Sequence, residues 1–135
     1  MKDLRPLLDE AIRATHAERG FVILHSDHLE FLAARSREGT DLKAHPTGVS
    51  QSIIRDVLAN GEARLAYDSD EETVPGDGRL SVRMLGLRGL LCAPLTWEGV
   101  VLGVLYVDSS EGGFSKETDL PAMQQYAEKL AKFLK

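Results

Sequence analysis

The sequence predicts an α+β domain in which an antiparallel sheet lies between two layers of helices. Two pairs of apolar, β-prone segments are each joined by a short connection, which is the pattern of antiparallel hairpins. The strands of the last pair are apolar on both faces, so both faces of the sheet should be covered. Amphipathic segments with helical spacing supply the covering helices. The 135 residues suit one domain, and the 43% that are hydrophobic suffice for an ordinary core.

The N-terminal segment is predicted to form a helix followed by a hairpin. Asp3 is the expected N-cap, Pro6 fits the first turn, and Gly20 is expected to end the helix. The runs 21–25 and 29–35 then predict two antiparallel strands. The positions of the helix that fall at helical spacing are Leu4, Leu7, Leu8, Ala11, Ile12 and Thr15.

The middle of the chain is predicted to hold a second helix after a polar loop over 37–48. Ser50 is its expected N-cap and Asn60-Gly61 its end. The predicted buried stripe of this helix is Ile53, Ile54, Val57 and Leu58. Three further elements precede the last hairpin: a strand over 63–67, an acidic loop over 68–80 and a helical turn over 81–85.

The strongest β signal is the hairpin formed by 89–95 and 100–108, with a turn over 96–99. Pro94 lies inside the first of these strands, where a central strand uses its N–H groups in the sheet ladder. A bulge or a shift in strand pairing is therefore expected at Pro94.

The C-terminal segment is predicted to be a long helix that begins near Ser115 or Thr118. With Thr118 as the N-cap, Pro121 falls in the first turn, where proline is tolerated. The apolar positions repeat with 3-4-3-4 spacing: Leu120, Met123, Ala127, Leu130 and Leu134. This spacing fits a coiled-coil seam or a helix packed on a sheet, and both hold if the seam continues past Lys135.

Composition and charge exclude several functions. The formal net charge is −5 and the arginines are scattered, so direct nucleic-acid contact is not expected. The segment 1–10 has no apolar signal core, and no apolar run approaches the roughly 20 residues of a membrane span. A cytoplasmic location is expected. The single cysteine, Cys92, excludes an internal disulfide and a multi-thiolate metal site, and it is interpreted as a buried, inert thiol.

The order of elements and a set of short motifs resemble the GAF domain family. The family pattern pairs a Leu-Cys-hydrophobic-Pro-Leu strand with a Leu-Gly-Val-Leu-Tyr-Val-Asp strand across a glycine hairpin. The matching positions are Asp68, Ser81, Leu91-Cys92-Ala93-Pro94-Leu95, Glu98-Gly99, Leu102 to Asp108, Phe114 and Asp119-Leu120. The last strand is most similar to GAF domains of bacterial enhancer-binding activators and of cyclase or kinase receptors.

The resemblance implies a GAF/PAS-like central antiparallel sheet of five or six strands. The first and last helices would pack on one face, and the middle helices and loops on the other, where a small-molecule pocket usually lies. Residues 1–135 would be a single GAF domain of a larger multidomain regulator, with an output domain on the C-terminal side.

The expected function is a non-catalytic sensor of signal transduction or transcription control. A small effector of unknown identity would bind between the sheet and segment 48–85, with 68–80 as a lid. Binding would be relayed through the terminal helices to the output domain. The candidate ligand-binding residues are Arg35, Tyr67, Asp68, Arg83, Cys92 and Tyr106.

The alternative function is a ligand-free dimerisation module. The terminal helices would then pair in a homodimer, and a pocket filled by the domain's own large side chains would favour this alternative. The candidate dimerisation residues are Leu4, Leu8, Leu120, Met123, Ala127, Leu130 and Leu134.

Known GAF chemistries find little support in the sequence. The Asn-Lys-Phe-Asp-Glu signature of cyclic-nucleotide binders is missing, and Cys92 is not followed by the histidine common in bilin-binding relatives. A single cysteine has no resolving partner for methionine sulfoxide reduction. Two open questions are a cation bound by the acidic run Asp68, Asp70, Glu71, Glu72 and Asp77, and haem ligation by His16, His25, His28 or His45, for which surface positions are expected.

Overall fold

A computed structural model of the chain describes residues 3–43, 48–67 and 85–135. The predicted loop over 68–80 and nearly all of the predicted turn over 81–85 lie outside these residues. The elements, in chain order, are α1 (Arg5–Thr15), β1 (Arg19–His25), β2 (Leu29–Ser36), α2 (Gln51–Asn60), β3 (Arg64–Tyr67), β4 (Gly89–Trp97), β5 (Val100–Ser109) and α3 (Asp119–Leu134).

The strands form one five-stranded antiparallel sheet in the order β2-β1-β5-β4-β3. This confirms the predicted sheet and both predicted hairpins. The β4–β5 turn is tighter than predicted, because only Glu98 and Gly99 separate the strands. Their φ angles are 50° and 81°. Two successive residues of positive φ match the right-handed twist of the flanking strands, which is why a glycine stands here.

Pro94 is paired with Val104 inside the β4–β5 ladder. The shift in register lies between Leu95 and Thr96, just beyond the proline and not at it. The β3–β4 pairing begins at Arg64 opposite Cys92, so Pro94 lies past the end of β3. The missing N–H is tolerated because β4 has left the β3 ladder at this point.

The core is divided by the sheet into two layers, which confirms the predicted three-layer arrangement. We call the side covered by α1 and α3 the terminal-helix face and the side covered by α2 the α2 face. Side chains of the central strands alternate between the two faces. On the terminal-helix face lie Leu91, Ala93, Leu95, Leu105 and Val107. On the α2 face lie Phe21, Ile23, Leu90, Cys92, Val104 and Tyr106.

The end of α1 differs from the prediction. His16, with a φ of 58°, is the residue that ends α1, and Gly20 is already part of β1. A Cβ at Gly20 would lie 2.7 Å from Cγ1 of Ile12 and 2.9 Å from Cδ1 of Leu8. Gly20 therefore allows α1 to pack closely on the sheet. Leu4 occupies the N-cap position in place of Asp3, although the Asp3 carboxylate accepts the Arg5 N–H at 3.0 Å.

The other two helices begin as predicted, and α2 also ends as predicted. The Ser50 hydroxyl caps α2 by accepting the Ile53 N–H, and Gly61, with a φ of 69°, ends that helix. Helix α3 follows Thr118, with Pro121 in its first turn. The buried side of α3 contacts the sheet and α1, which confirms the interpretation of the seam as a helix packed on a sheet.

None of the helices within the described ranges is long and apolar enough to cross a lipid bilayer.

Candidate functional site

Of the four predicted pocket residues that the structure describes, two lie together on the α2 face. Cys92 on β4 and Tyr106 on β5 are paired opposite each other and are both fully buried. Arg35 and Tyr67 belong to the other face of the sheet, as shown below. Asp68 and Arg83 lie outside the described residues, so their part in a pocket stays a prediction.

Arg35 is engaged in an ion-pair cluster beside α1. Its Nε and Nη2 atoms donate to the two carboxylate oxygens of Asp9 at 3.0 and 2.8 Å, and Nη1 donates to Asp41 at 2.9 Å. These two carboxylates raise the pKa of the Arg35 guanidinium. The cluster connects α1 to β2 on the terminal-helix face, and the structure does not bring Arg35 to Cys92 and Tyr106.

Tyr67 is separated from Cys92 by the alternation of β3. Ala66 contacts the α2-face core, so its neighbours Leu65 and Tyr67 point to the opposite side of the strand. Instead, β3 presents Arg64 toward α2, where its guanidinium forms an ion pair with Asp56. Arg64 was missed by the sequence analysis because a charged residue at a strand start has no distinctive pattern.

Cys92 is a fully buried free thiol, as predicted. Burial raises its pKa above the ordinary value, against the opposing effect of Arg64. A thiol becomes a nucleophile or a metal ligand only as a thiolate, and burial suppresses that form. Its position in a central strand makes Cys92 part of the packed core.

An aromatic row crosses three neighbouring strands of the α2 face. Phe31 of β2 contacts Phe21 of β1 edge-on with ring centroids 6.1 Å apart, and Phe21 contacts Tyr106 of β5 at 5.7 Å. Such edge-to-face pairs stabilise beyond the area they bury. The row passes from full burial at Tyr106 to partial exposure at Phe31. It therefore joins the centre of the core to the rim of this face.

A buried ion pair closes one end of the α2 face. The Arg19 Nε donates to Oδ1 of Asp108 at 2.9 Å, and Nη2 donates to Oδ2 of the same carboxylate. Asp108 is fully buried, whereas the Arg19 side chain is about one-third exposed and stacks on the Phe21 ring. Burial raises the pKa of Asp108, and the bonds from Arg19 oppose this shift.

The Arg19–Asp108 ion pair was not predicted from the sequence, although the position of Asp108 in its strand indicated a buried partner. Asp108 stands at an alternate position of β5 after Val104 and Tyr106, both of which face the α2 core. A carboxylate at an inward position of an apolar strand needs a buried partner. Arg19 immediately precedes the first apolar run and is directly paired with Asp108.

The Tyr106 hydroxyl joins this polar cluster to α2. The hydroxyl oxygen accepts the Ser50 N–H at 3.2 Å. Burial raises the pKa of Tyr106 above its ordinary value, so the phenol stays neutral. Tyr106 thus connects β5 to the N-cap residue of α2.

The variant Tyr106→Phe is expected to lower the free energy of unfolding by about 1–2 kcal/mol, because the buried Ser50 N–H loses its acceptor. Chemical denaturation measures this change. The matched control is Tyr126→Phe on α3, where Lys129 contacts the aromatic ring, which the variant keeps. A change within about 0.5 kcal/mol is expected for the control. Equal losses in both variants would contradict the assigned hydrogen bond.

Glu18 connects the start of β1 to the chain that leaves β5. Its Oε1 accepts the Ser110 hydroxyl at 2.7 Å, the Ser110 N–H, the Ser109 hydroxyl at 3.2 Å and the Glu111 N–H at 3.1 Å. The Ser110 hydroxyl contributes most to a lowered pKa of Glu18, whereas partial burial opposes it. This carboxylate organises the turn that leads from the sheet to α3.

Glu18→Gln is expected to make the free energy of unfolding less dependent on pH between pH 7 and pH 3. Because the pKa of Glu18 is lowered in the folded state, its contribution is complete above the ordinary value of 4.5 and disappears as pH falls through the lowered folded pKa. At pH 7 the wild type should be more stable than the variant by about 1 kcal/mol, reduced for partial exposure. Urea denaturation between pH 7 and pH 3 should show this difference shrinking. A constant difference would contradict the assignment.

Most of the predicted dimerisation residues are buried in the core of the domain. Leu8, Met123, Ala127 and Leu130 are at most 2% exposed and pack between α1, α3 and the sheet. They cannot also contact a second chain in this arrangement. The remaining members, Leu4, Leu120 and Leu134, are only partly buried and lie near helix ends, so a dimer through them stays a prediction.

Possible metal ligands do not converge in the described ranges, where no group of three or more His, Cys, Asp or Glu side chains could hold an ion. His16, His25 and His28 are exposed, as predicted, and His45 lies outside these ranges. The acidic run over 68–77 is also outside them, so cation binding there stays an open question.

The sheet, with its terminal helices on one face and its single described helix on the other, has the fold of GAF domains. The model of the GAF domain family matches residues 3–134. The chain belongs to the GAF domain family, which is a family of sensing and regulatory domains.

Solved structures with the same fold come from several bacterial proteins. The chain is similar to the GAF domain region of a protein described as a membrane protein from Geobacter sulfurreducens PCA, with 16% identity, a TM-score of 0.72 and coverage of 97% of this chain and 89% of the other. A domain of a protein described as a two-component sensor histidine kinase from Sinorhizobium meliloti 1021 has 17% identity, a TM-score of 0.63 and coverages of 96% and 85%.

The chromophore-binding domain of a Stigmatella aurantiaca phytochrome has 14% identity and a TM-score of 0.69. This chain is covered completely and spans 55% of that structure. At these identities the likeness is one of fold. No protein of curated function matches the sequence significantly.

Proposed function

We propose that this GAF domain is a regulatory sensor that binds a small effector on its α2 face and relays binding through α1 and α3 to an output domain of a parent protein. The observation that carries the proposal is the alternation of the two central strands. Cys92 and Tyr106 project onto the α2 face, while Leu91 and Leu105, adjacent in the chain, project onto the terminal-helix face. Any displacement of these strands on one side therefore reaches the helices on the other.

The rim of the α2 face is the proposed point of effector contact. Its apolar side chains are only partly buried although they pack against the α2-face core: Leu29, Phe31, Leu42, Leu58 and Leu85. Apolar surface with a few polar groups nearby is typical of small-molecule sites. The aromatic row then connects a ligand at Phe31 to the buried Tyr106 through one intervening ring.

The packing of α1 and α3 on the sheet would transmit effector binding to these helices. Helices α1 and α3 contact each other and share a core with β4 and β5. A close-packed core transmits strain because it has few voids to absorb it. For a switch, the effector must bind one helix arrangement more tightly than the other, since equal affinity shifts nothing.

A thermal-shift screen tests the proposal with cyclic nucleotides, haem, metal ions, 2-oxo acids and amino acids. A true effector should raise the unfolding temperature progressively with concentration, equivalent to about 2.7 kcal/mol at a hundred times its dissociation constant. Phe31→Ala should weaken this effect. Leu32→Ala is the matched control, because Leu32 is the next residue on β2 and packs on the terminal-helix face.

Comparing Phe31→Ala with Leu32→Ala shows which face of the sheet the effector contacts. Stabilisation lost in Leu32→Ala and kept in Phe31→Ala would place the effector on the terminal-helix face. Failure of every compound class to stabilise the wild type would favour the dimerisation alternative.

The ligand-free dimerisation module is the second candidate, and one observation favours it. Tyr106 and Phe21 fill the centre of the α2 face with their own rings and are at most 2% exposed. Sedimentation equilibrium separates the two functions. A dimer that Leu120→Glu and Leu134→Glu together convert to monomer, with no stabilising compound, would support dimerisation alone.

A further inference from the structure

We infer that the Arg19–Asp108 ion pair is the element that couples the start of α2 to the end of α1 and to the segment that leads into α3. The inference rests on the proposed function, because it names the route by which a change on the α2 face would reach α1 and α3. It depends on three sets of contacts, on the α2 side, within the pair and on the helix side.

On the α2 side, the chain entering the helix is held by two side chains of the sheet. Arg19 Nη2 donates to the Gly48 carbonyl at 3.1 Å. The Tyr106 hydroxyl accepts the N–H of Ser50, the N-cap residue, at 3.2 Å. A shift of α2 relative to the sheet must therefore break these bonds or move Arg19 and Tyr106 with it.

The pair itself has little freedom to absorb such a shift. Both oxygens of the Asp108 carboxylate are bonded to the one Arg19 guanidinium, and the carboxylate is fully buried. A planar, two-point pair fixes the relative orientation of its partners. Losing the partner leaves a buried charge uncompensated, so the pair is expected to move as a unit.

On the helix side, the residues flanking the pair form a junction between the end of α1 and the approach to α3. We call residues 16–19 and 108–111 the helix junction. The Glu18 N–H donates to the Asp108 carbonyl at 2.9 Å, and the Glu18 carboxylate accepts bonds from Ser110 and Glu111. Arg37 closes the junction by donating to Glu111 at 3.0 Å and to the Ala17 carbonyl at 3.3 Å.

Hydrogen exchange of the full chain, read by mass spectrometry, tests this coupling without any effector. Ser50→Ala is the perturbation, because it removes the hydroxyl that caps α2. In the wild-type background it should accelerate exchange in α2 and also, by about fivefold, in residues 110–120, the lower end of usual coupling between sites. The same change should follow in residues 12–18 at the end of α1.

Introducing Ser50→Ala into two double variants shows whether the ion pair transmits the faster exchange to residues 110–120. In Arg19→Met/Asp108→Val, which replaces the pair by apolar side chains, Ser50→Ala should accelerate exchange in α2 only. In the matched control Arg35→Met/Asp9→Leu, which removes a two-point pair on the opposite face, the effect on 110–120 should persist. If the first double variant does not fold, Arg19→Lys serves instead, since lysine keeps the charge and loses the two-point geometry.

The outcomes also separate this inference from the proposed function. An equal response of 110–120 in all backgrounds, or no response in the wild type, would overturn the coupling role of Arg19–Asp108. A coupled response in a protein that no compound stabilises would support the coupling and count against effector sensing.

Discussion

Gly103→Ala is expected to destabilise the domain by about 3 kcal/mol, the upper end of the usual cost of overpacking. Gly103 lies on β5 opposite Leu24 of β1 and Leu95 of β4. A Cβ at this position would collide with the Ile23 carbonyl oxygen and would lie 2.8 Å from the Leu24 Cα. Backbone atoms cannot rotate away as a side chain does, so β1 and β5 would have to separate.

The matched control is Gly112→Ala. Gly112 has no positive φ, and a Cβ there would meet no heavy atom within 4 Å. Its unfolding free energy should equal or slightly exceed that of the wild type, because alanine restricts the unfolded chain. Urea denaturation measures both variants. Equal stabilities for the two variants would contradict the close β1–β5 approach as the cause of the glycine in the Leu-Gly-Val-Leu-Tyr-Val-Asp motif.

Arg19→Ala is the second large effect, with an expected loss of about 3 kcal/mol in the free energy of unfolding. Removing one member of a buried pair costs about 3–5 kcal/mol, and the lower end applies because the Arg19 side chain is 36% exposed. The loss should be greater at pH 7 than at pH 4, close to the ordinary aspartate pKa of 3.8. Burial raises the pKa of Asp108, and Arg19→Ala removes the bonds that oppose this shift. The folded variant therefore binds the Asp108 proton more tightly than the unfolded chain, and its stability falls as pH rises above 3.8.

The double variant Arg19→Met/Asp108→Val isolates the cause of this loss. With no charge left to bury, most of the stability should return, since apolar replacement of buried ion pairs is often neutral. Guanidinium denaturation of the single and double variants at pH 7 measures the difference. A double variant as unstable as Arg19→Ala would show that packing or the Gly48 contact, rather than the uncompensated carboxylate, dominates.

The architecture was predictable because its signals are local. Periodicity located the three described helices, and short runs of β-prone residues located the five described strands. The apolar character of β4 and β5 on both faces predicted the layers. The errors came from tertiary contacts. Gly20 was expected to end α1, but α1 needs it for close packing, and a left-handed His16 ends the helix instead.

The site was less predictable because it depends on which face of a strand each residue occupies. A shift of one position moves a side chain to the other side of the sheet. This is why Tyr67 and Arg35 were grouped with Cys92, although their strands turn them toward α1 and α3. The Arg19–Asp108 pair joins residues far apart in the chain, so the inward position of Asp108 indicated a buried partner without identifying Arg19.

Native mass spectrometry with the screened compounds tests effector binding on the α2 face most directly. We expect a non-covalent complex with one effector per domain in the wild type and in Leu32→Ala, and loss of this complex in Phe31→Ala. Detection of only ligand-free protein with every compound, in the form of a stable dimer, would contradict sensing. Dimerisation would then remain as the function of this GAF domain.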